Sequence, residues 1–255
     1  MKDKQAFDEG YSEAYEKITF PDGKDRVLYT QKIRFNEEEE PYILGIARNV
    51  TIQLEEEAFL KSLYEMSSNT SLDFERKVDK VLQSACSFFD VNQGIVSEIN
   101  QNDYLVLNYF SKTKKELAEK RFKLNETYCE YTFKSDGVQA YDDASKSRML
   151  NHPAFKSMKL HTYIGTTYYV NGEAWGTVNF TRKEPRKRAF NEKEKSYLKL
   201  LAEWIGFEFS RTKAIKELEN TTLQLVRSNE ELAQFAYRTS HDLKAPLTTI
   251  KGLTH

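Results

Sequence analysis

Close to the C-terminal end of the sequence, His241 stands beside Asp242, with Lys244 three residues beyond the histidine and Pro246 and Leu247 five and six beyond it. An imidazole is a nucleophile for phosphoryl transfer when one ring nitrogen keeps its lone pair and is held in line with the γ-phosphate. A neighbouring carboxylate can take the proton of the other ring nitrogen and so hold that tautomer. On this chemistry His241 is the candidate phosphoryl acceptor and Asp242 the group that orients it. Pro246 has no backbone N–H and crowds the preceding turn, so a bend just beyond His241 is expected to help expose the ring.

The element that must carry this pair is a long helix. With Ile215 at position a of a heptad, Thr222, Asn229, Ala236, Leu243 and Ile250 also fall at a, while Leu218, Leu225, Leu232, Thr239 and Pro246 fall at d. A histidine on an amphipathic helix is commonly no more than a solvated side chain, but this register puts His241 at f, facing away from the seam. An acceptor that must meet a phosphoryl donor outside the seam needs that outward face. Asn229 at an a position sets register and oligomer state at some cost in stability. Residues 211–255 therefore read as the seam of a parallel homodimer.

In that setting residues 240–254 resemble the H-box of sensor histidine kinases, the helix whose histidine takes a phosphoryl group from ATP. The resemblance implies that His241 is the phosphoacceptor, that Asp242 orients it, that ATP is held by another domain of the full-length kinase, and that a response regulator receives the phosphoryl group. A nucleotide site in the present sequence would need glycines close together, so that backbone N–H groups can approach phosphates. The closest pair, Gly172 and Gly176, is four residues apart, so no ATP site is expected here. The chain reads as a fragment of a longer kinase.

At 255 residues, 39% of them hydrophobic and 13% aromatic, the chain is long enough for a substantial core. A net charge of −1 suggests neither nucleic acid nor an anionic membrane as partner. The basic run Arg182-Lys183-Glu184-Pro185-Arg186-Lys187-Arg188 is expected to be a solvated loop. Two cysteines, Cys86 and Cys129, make no disulfide framework and have no metal-ligand spacing, which points to a reducing, cytoplasmic setting. No run of residues approaches the roughly 18 apolar positions of a membrane span.

Taken in order, residues 1–52 read as strands, at 15–20, 26–35 and 41–50, joined by a turn at Pro21-Asp22-Gly23 and an acidic loop at 37–40. That segment resembles the C-terminal half of a PAS domain, with Ile43-Leu44-Gly45-Ile46-Ala47-Arg48-Asn49-Val50-Thr51 as its last strand. Residues 53–71 are an amphipathic helix broken by Ser67-Ser68-Asn69-Thr70-Ser71. From 72 to 210 the expected order is a helix to 89, strands at 94–99 and 104–110, a short helix at 127–133, strands at 138–141, 162–170 and 174–181, and a helix starting near Asn191. Asn171-Gly172 marks a tight hairpin.

This order, with Glu126-Thr127-Tyr128-Cys129, Tyr141-Asp142-Asp143-Ala144, Tyr163-Ile164-Gly165 and residues 171–180, resembles a GAF domain. The implied fold class is α+β: an antiparallel sheet with flanking helices, preceded by partial PAS strands and followed by a long dimerising coiled-coil helix. GAF domains bind varied small molecules, and no ligand can be named here. Placement at strand ends and covering loops makes Tyr128, Cys129, Asp142, Asp143 and Tyr163 the pocket candidates. His152, before Pro153, is expected to cap or turn, and His161 to begin a strand. A competing reading is a GAF-type thiol enzyme resembling methionine sulfoxide reductases, or a plain small-molecule-binding module. The thiol enzyme requires Cys86 and Cys129 to lie together.

The glycine spacing carries one testable outcome: purified chain incubated with labelled ATP acquires no phosphoryl label. Label retained on the denatured chain would reveal a nucleotide site.

Overall fold

The computed structural model describes residues 2–21, 23, 25–37, 40–113, 117–135 and 137–253, without the side chains of residues 2 and 241–253. Turn residue Asp22 and positions 38 and 39 of the acidic loop lie outside the described residues, as do the side chains of His241 and Asp242. Residues 1–205 form one compact unit and residues 206–255 a second.

In the first unit, β1 (Tyr11–Thr19), β2 (Asp25–Glu37) and β3 (Glu40–Asn49) form an antiparallel meander. Helix α1 (Lys2–Glu9), which no apolar periodicity announces, packs on one face of it. Ala6 is fully buried there, Asp3 pairs with Lys32, and the Arg34 guanidinium donates to the Phe7 carbonyl at 2.6 Å. Its anchor is thus two cations on β2, far away in sequence.

Helices α2 (Thr51–Ser68) and α3 (Phe74–Phe88) follow. The break between them is held by Asn69, whose side-chain oxygen accepts from the backbone of Ser71 and Leu72 at 2.9 and 3.1 Å. Asp73 then caps α3 by accepting from the Arg76 amide at 2.8 Å. Phe59 of α2 is fully buried and stacks on Phe88 with ring centroids 5.3 Å apart.

The main sheet runs β6-β5-β4-β9-β8-β7, antiparallel throughout, from β4 (Gln93–Asn100), β5 (Asp103–Ser111), β6 (Arg121–Lys123), β7 (Gln139–Tyr141), β8 (Thr162–Val170) and β9 (Glu173–Arg182). Asn171 and Gly172 have φ of 53° and 84°, the left-handed pair that a two-residue hairpin needs, and join β8 to β9 where the sequence expects it. Short helices α4 (Cys129–Phe133) and α5 (Pro153–Met158), with 3₁₀ turns between them, cover one face; α3 covers the other. Neither β6, three residues long, nor α5 is long enough to show a period in sequence.

A final helix, α6 (Glu192–Leu253), continues past Pro246. It begins with a reciprocal cap: the Asn191 side chain accepts from the Glu194 amide at 2.8 Å and the Glu194 carboxylate accepts from the Asn191 amide at 2.9 Å. The α+β class expected from sequence is the class observed, a six-stranded antiparallel sheet with flanking helices and a long C-terminal helix.

Sheet closure depends on Gly176, because a Cβ built there would lie 1.8 Å from the Ser97 carbonyl oxygen on β4. Gly176→Ala must push β4 away from β9, and thermal or denaturant unfolding should show a loss of about 3 kcal/mol.

Candidate functional site

The alternation of β9 sends Phe180 to one face of the main sheet and Asn179 to the other. On the α3 face, a Cβ built at Gly94 would touch the Phe180 ring at 2.8 Å and the Cys86 sulfur at 3.3 Å, so Cys86 and Phe180 share that side. On the opposite face, Asn179 Nδ2 donates to Tyr104 Oη at 3.1 Å and lies 3.3 Å from the Cys129 sulfur. The two thiols stand on opposite faces of the sheet.

Around Cys129 the polar groups close on one another. Tyr163 Oη lies 3.6 Å and Tyr104 Oη 3.7 Å from its sulfur, and the Tyr163 hydroxyl also bonds that of Thr132. Tyr128 packs edge-on against Tyr163 with centroids 5.3 Å apart and donates to the Leu160 carbonyl at 2.9 Å. Met149 and Phe155, from the covering 3₁₀ turn and α5, complete the cluster, and all of these side chains are buried.

Burial raises the Cys129 thiol, opposed by hydrogen bonds from Thr177 and Tyr163, and pushes the Tyr104 and Tyr163 phenols well above their ordinary value. Burial also pushes Cys86 up to about 12, with Lys112 pulling the other way. Both thiols are protonated at neutral pH and make poor nucleophiles. The Cys129 cluster is a neutral, dipolar cage suited to hydrogen bonding rather than thiolate chemistry.

The sequence candidates divide. Tyr128, Cys129 and Tyr163 come together in the cage, whereas the side chains of Asp142 and Asp143 are engaged in the segment that covers it. Asp143 caps a 3₁₀ turn, accepting from the backbone and hydroxyl of Ser145 at 3.1 and 2.6 Å, and meets His161 Nδ1 at 2.8 Å. Asp142 turns the other way, toward the loop entering α6. Its carboxylate accepts from the Phe190 amide at 2.9 Å, and its carbonyl from the Arg186 amide at 2.8 Å and the Thr162 hydroxyl at 3.2 Å.

His152 does cap α5, its Nδ1 accepting from the Ala154 amide at 3.1 Å. That bond requires a lone pair on Nδ1, so the ring is neutral with its proton on Nε2. Burial holds its pKa down, against a carboxylate of Glu130 at 4.0 Å. His161 immediately precedes β8.

The basic run differs from the solvated loop expected. Arg186 is buried, lies over the Phe190 ring at 4.0 Å, and pairs with the buried carboxylate of Glu194, which Arg188 also reaches at 3.0 Å. A guanidinium can stack on a ring and bond a carboxylate at once, which is how one cation of a polar run is taken inside.

Tyr104, Thr132 and Asn179 escaped the sequence reading, although Asn179 between Val178 and Phe180 was a signal: an amide inside an apolar strand needs buried partners. Among the described residues, no three His, Cys, Asp or Glu side chains are grouped to hold a metal ion, and no helix is long and apolar enough to cross a membrane.

Residues 73–209 match the GAF domain family, and the chain belongs to it. A stretch of 91 residues is 33% identical to the methanogenesis regulatory histidine kinase FilI of Methanothrix harundinacea, covering 33% of this chain and 10% of that kinase. The chromophore-binding domain of an unusual bacteriophytochrome from R. palustris has the same fold at 10% identity, with a TM-score of 0.55 over 80% of this chain and 75% of that one. Free methionine-R-sulfoxide reductase from Neisseria meningitidis is similar at 16% identity, with a TM-score of 0.50 over 64% and 93% of the two chains. At these identities the likeness is one of fold.

The hydrogen bonds from Ser145 and then His161 hold the Asp143 carboxyl at about 2, below its ordinary 3.8. A depressed folded-state pKa stabilises above the unfolded value and is lost as protons bind, so this contribution should vanish as pH falls from about 4 to about 2. Melting temperatures of wild type and Asp143→Asn should therefore differ above pH 5 and converge near pH 2. A constant difference would remove the carboxylate from the account.

Proposed function

We propose that this chain is the sensory and relay part of a two-component histidine kinase, in which the GAF domain controls a dimeric helix that presents His241 for phosphoryl transfer from ATP to a response regulator. The observation that carries this reading is the adjacency of Asp142 and Asp143. Asp143 fastens the segment covering the cage to His161, and Asp142 fastens the same segment to Phe190, two residues before α6 begins. A ligand that lifted the cover would strain the entry to the helix that carries His241. Conformational coupling of this kind needs the ligand to favour one arrangement of the cover over another.

In this reading Tyr128, Cys129 and Tyr163 are the groups a ligand would meet, with the cover and its two aspartates responding to it. Asp242 orients His241, ATP and its domain belong to the full-length kinase, and residues 1–52 are the C-terminal half of a PAS domain. The partial likeness to a histidine kinase supports the reading. So do the apolar residues that α6 exposes, Ile215 at a and Leu218, Leu225 and Leu232 at d, each of them 46% exposed or more. An isolated helix gains little from leaving such a row in water, and a parallel homodimer through residues 211–255 would bury it. The thiol-enzyme alternative is disfavoured by two protonated thiols on opposite faces of one sheet.

Burying two leucines per helix contributes roughly 3–6 kcal/mol, and two aspartates in their place would cost more. Leu225→Asp with Leu232→Asp should therefore sediment as monomer while Lys216→Ala does not, and equal sedimentation of wild type and the double variant would refute the register. With an ATP-binding domain grafted from a kinase, labelled ATP should phosphorylate the dimer, and His241→Gln should abolish the label. Asp142→Ala should change the rate several-fold without altering the dimer. Label surviving in His241→Gln, or a rate indifferent to Asp142, would sink the proposal.

A further inference from the structure

His152 stands in sequence between Met149 and Phe155, the two side chains that the 3₁₀ turn and α5 lower onto the Cys129 cage. Its ring is buried, 5.3 Å from that of Tyr128, which precedes α4, and 5.5 Å from that of Tyr131 within it. The cap it gives α5 uses the Nδ1 lone pair, and the Phe155 and Lys156 amides both turn back to the His152 carbonyl at 3.1 Å. Side chain and main chain of one residue therefore start the helix that covers the cage. The Nε2–H is buried and meets no acceptor among the described residues. The Glu130 carboxylate is 4.0 Å away, beyond hydrogen-bond reach, and is taken by Lys134 at 2.7 Å.

A second proton on this ring has to go to Nδ1, because Nε2 already carries one. It would set an N–H against the Ala154 N–H, end the cap, and leave a cation where water is excluded. The surrounding charges do not reverse this. Glu130 favours the cation but is offset by Lys134, and Arg148, over the Tyr131 ring at 4.9 Å, disfavours it. Glu126 and Lys156 are exposed, where water and salt screen them. His161, whose ring meets Phe155 at 5.0 Å, faces Asp143 at 2.8 Å, a contact that a proton strengthens rather than breaks. His161 thus opposes an opening in acid and cannot be its cause.

We propose that His152 is a proton-operated latch on the cage: neutral, it caps α5 and keeps the cover down; protonated, it releases α5 and opens the way to Cys129, Tyr104 and Tyr163. Burial holds the closed-state pKa of His152 below its ordinary 6.5. The closed cover therefore has its full stability above pH 6.5 and loses it as the pH falls below that value. The latch acts on the cover whether or not α6 carries a phosphoacceptor, so it goes beyond the kinase reading.

Hydrogen exchange of the full chain, followed on the peptide spanning 149–159 and corrected for the intrinsic pH dependence of exchange, reads the opening directly. Between pH 7.5 and 5.5 the opening constant of α5 should rise roughly three- to tenfold while that of α3 stays level. His152→Asn keeps a capping acceptor and cannot titrate, so its α5 should stay closed at both pH values. Glu130→Gln removes a carboxylate that favours the cation and should steepen the response of the wild-type histidine. Protection of α5 that ignores pH in wild type, or that falls as steeply in His152→Asn, would overturn the proposal. Protection that rises in acid would overturn it as well, and assign His152 to an ion pair with Glu130.

Discussion

The start of α6 hangs on one buried carboxylate. Glu194 is reached by Arg186, by Arg188 and by the Asn191 amide, and its own amide is held by the Asn191 side chain. Taking a carboxylate and a guanidinium out of water is expensive, and the pair is tolerable here because nearly every polar atom of Glu194 is bonded. Losing one partner would leave the other charge buried, at a cost of about 3–5 kcal/mol. The helix therefore cannot begin elsewhere, and the loop that precedes it cannot drift.

From that fixed point the rest of the proposed relay follows. The loop anchored by Arg186 passes Asp142, whose carbonyl and carboxylate both bind it, and Asp142 is bonded in sequence to Asp143, which holds the cover over the Cys129 cage. The cage is neutral and internally satisfied. Its hydroxyls, amide and thiol bond one another, so a ligand entering it must replace those bonds with its own. Specificity would come from matching that set of donors and acceptors rather than from charge.

A buried thiol among phenols could be mistaken for a reactive centre. Reactivity needs a thiolate, and burial works against it at both cysteines, with the Lys112 cation too weak an opponent at Cys86. The likeness of fold to a sulfoxide reductase and to a chromophore-binding domain marks one scaffold serving different chemistries, so the side chains on this sheet have to decide what this member does.

What the sequence determined by itself was whatever nearest neighbours encode. The Asn171-Gly172 hairpin, the helical period of α3, the Asn191 cap, the order of the longer strands and helices after residue 10, the α+β class and the long C-terminal helix could all be read from spacing, because each depends on residues within a turn or two. Tertiary structure alone decided which distant groups meet. Asp142 finds Phe190 across 48 residues and Tyr104 finds Asn179 across 75, and neither has a local signature. The strand order β4-β9 put the two cysteines on opposite sides, and α1 formed because two cations on β2 waited for it. Arg186 went inside because Glu194 and Phe190 were placed to receive it, whereas a charge run in sequence looks solvated until a partner arrives from elsewhere in the chain.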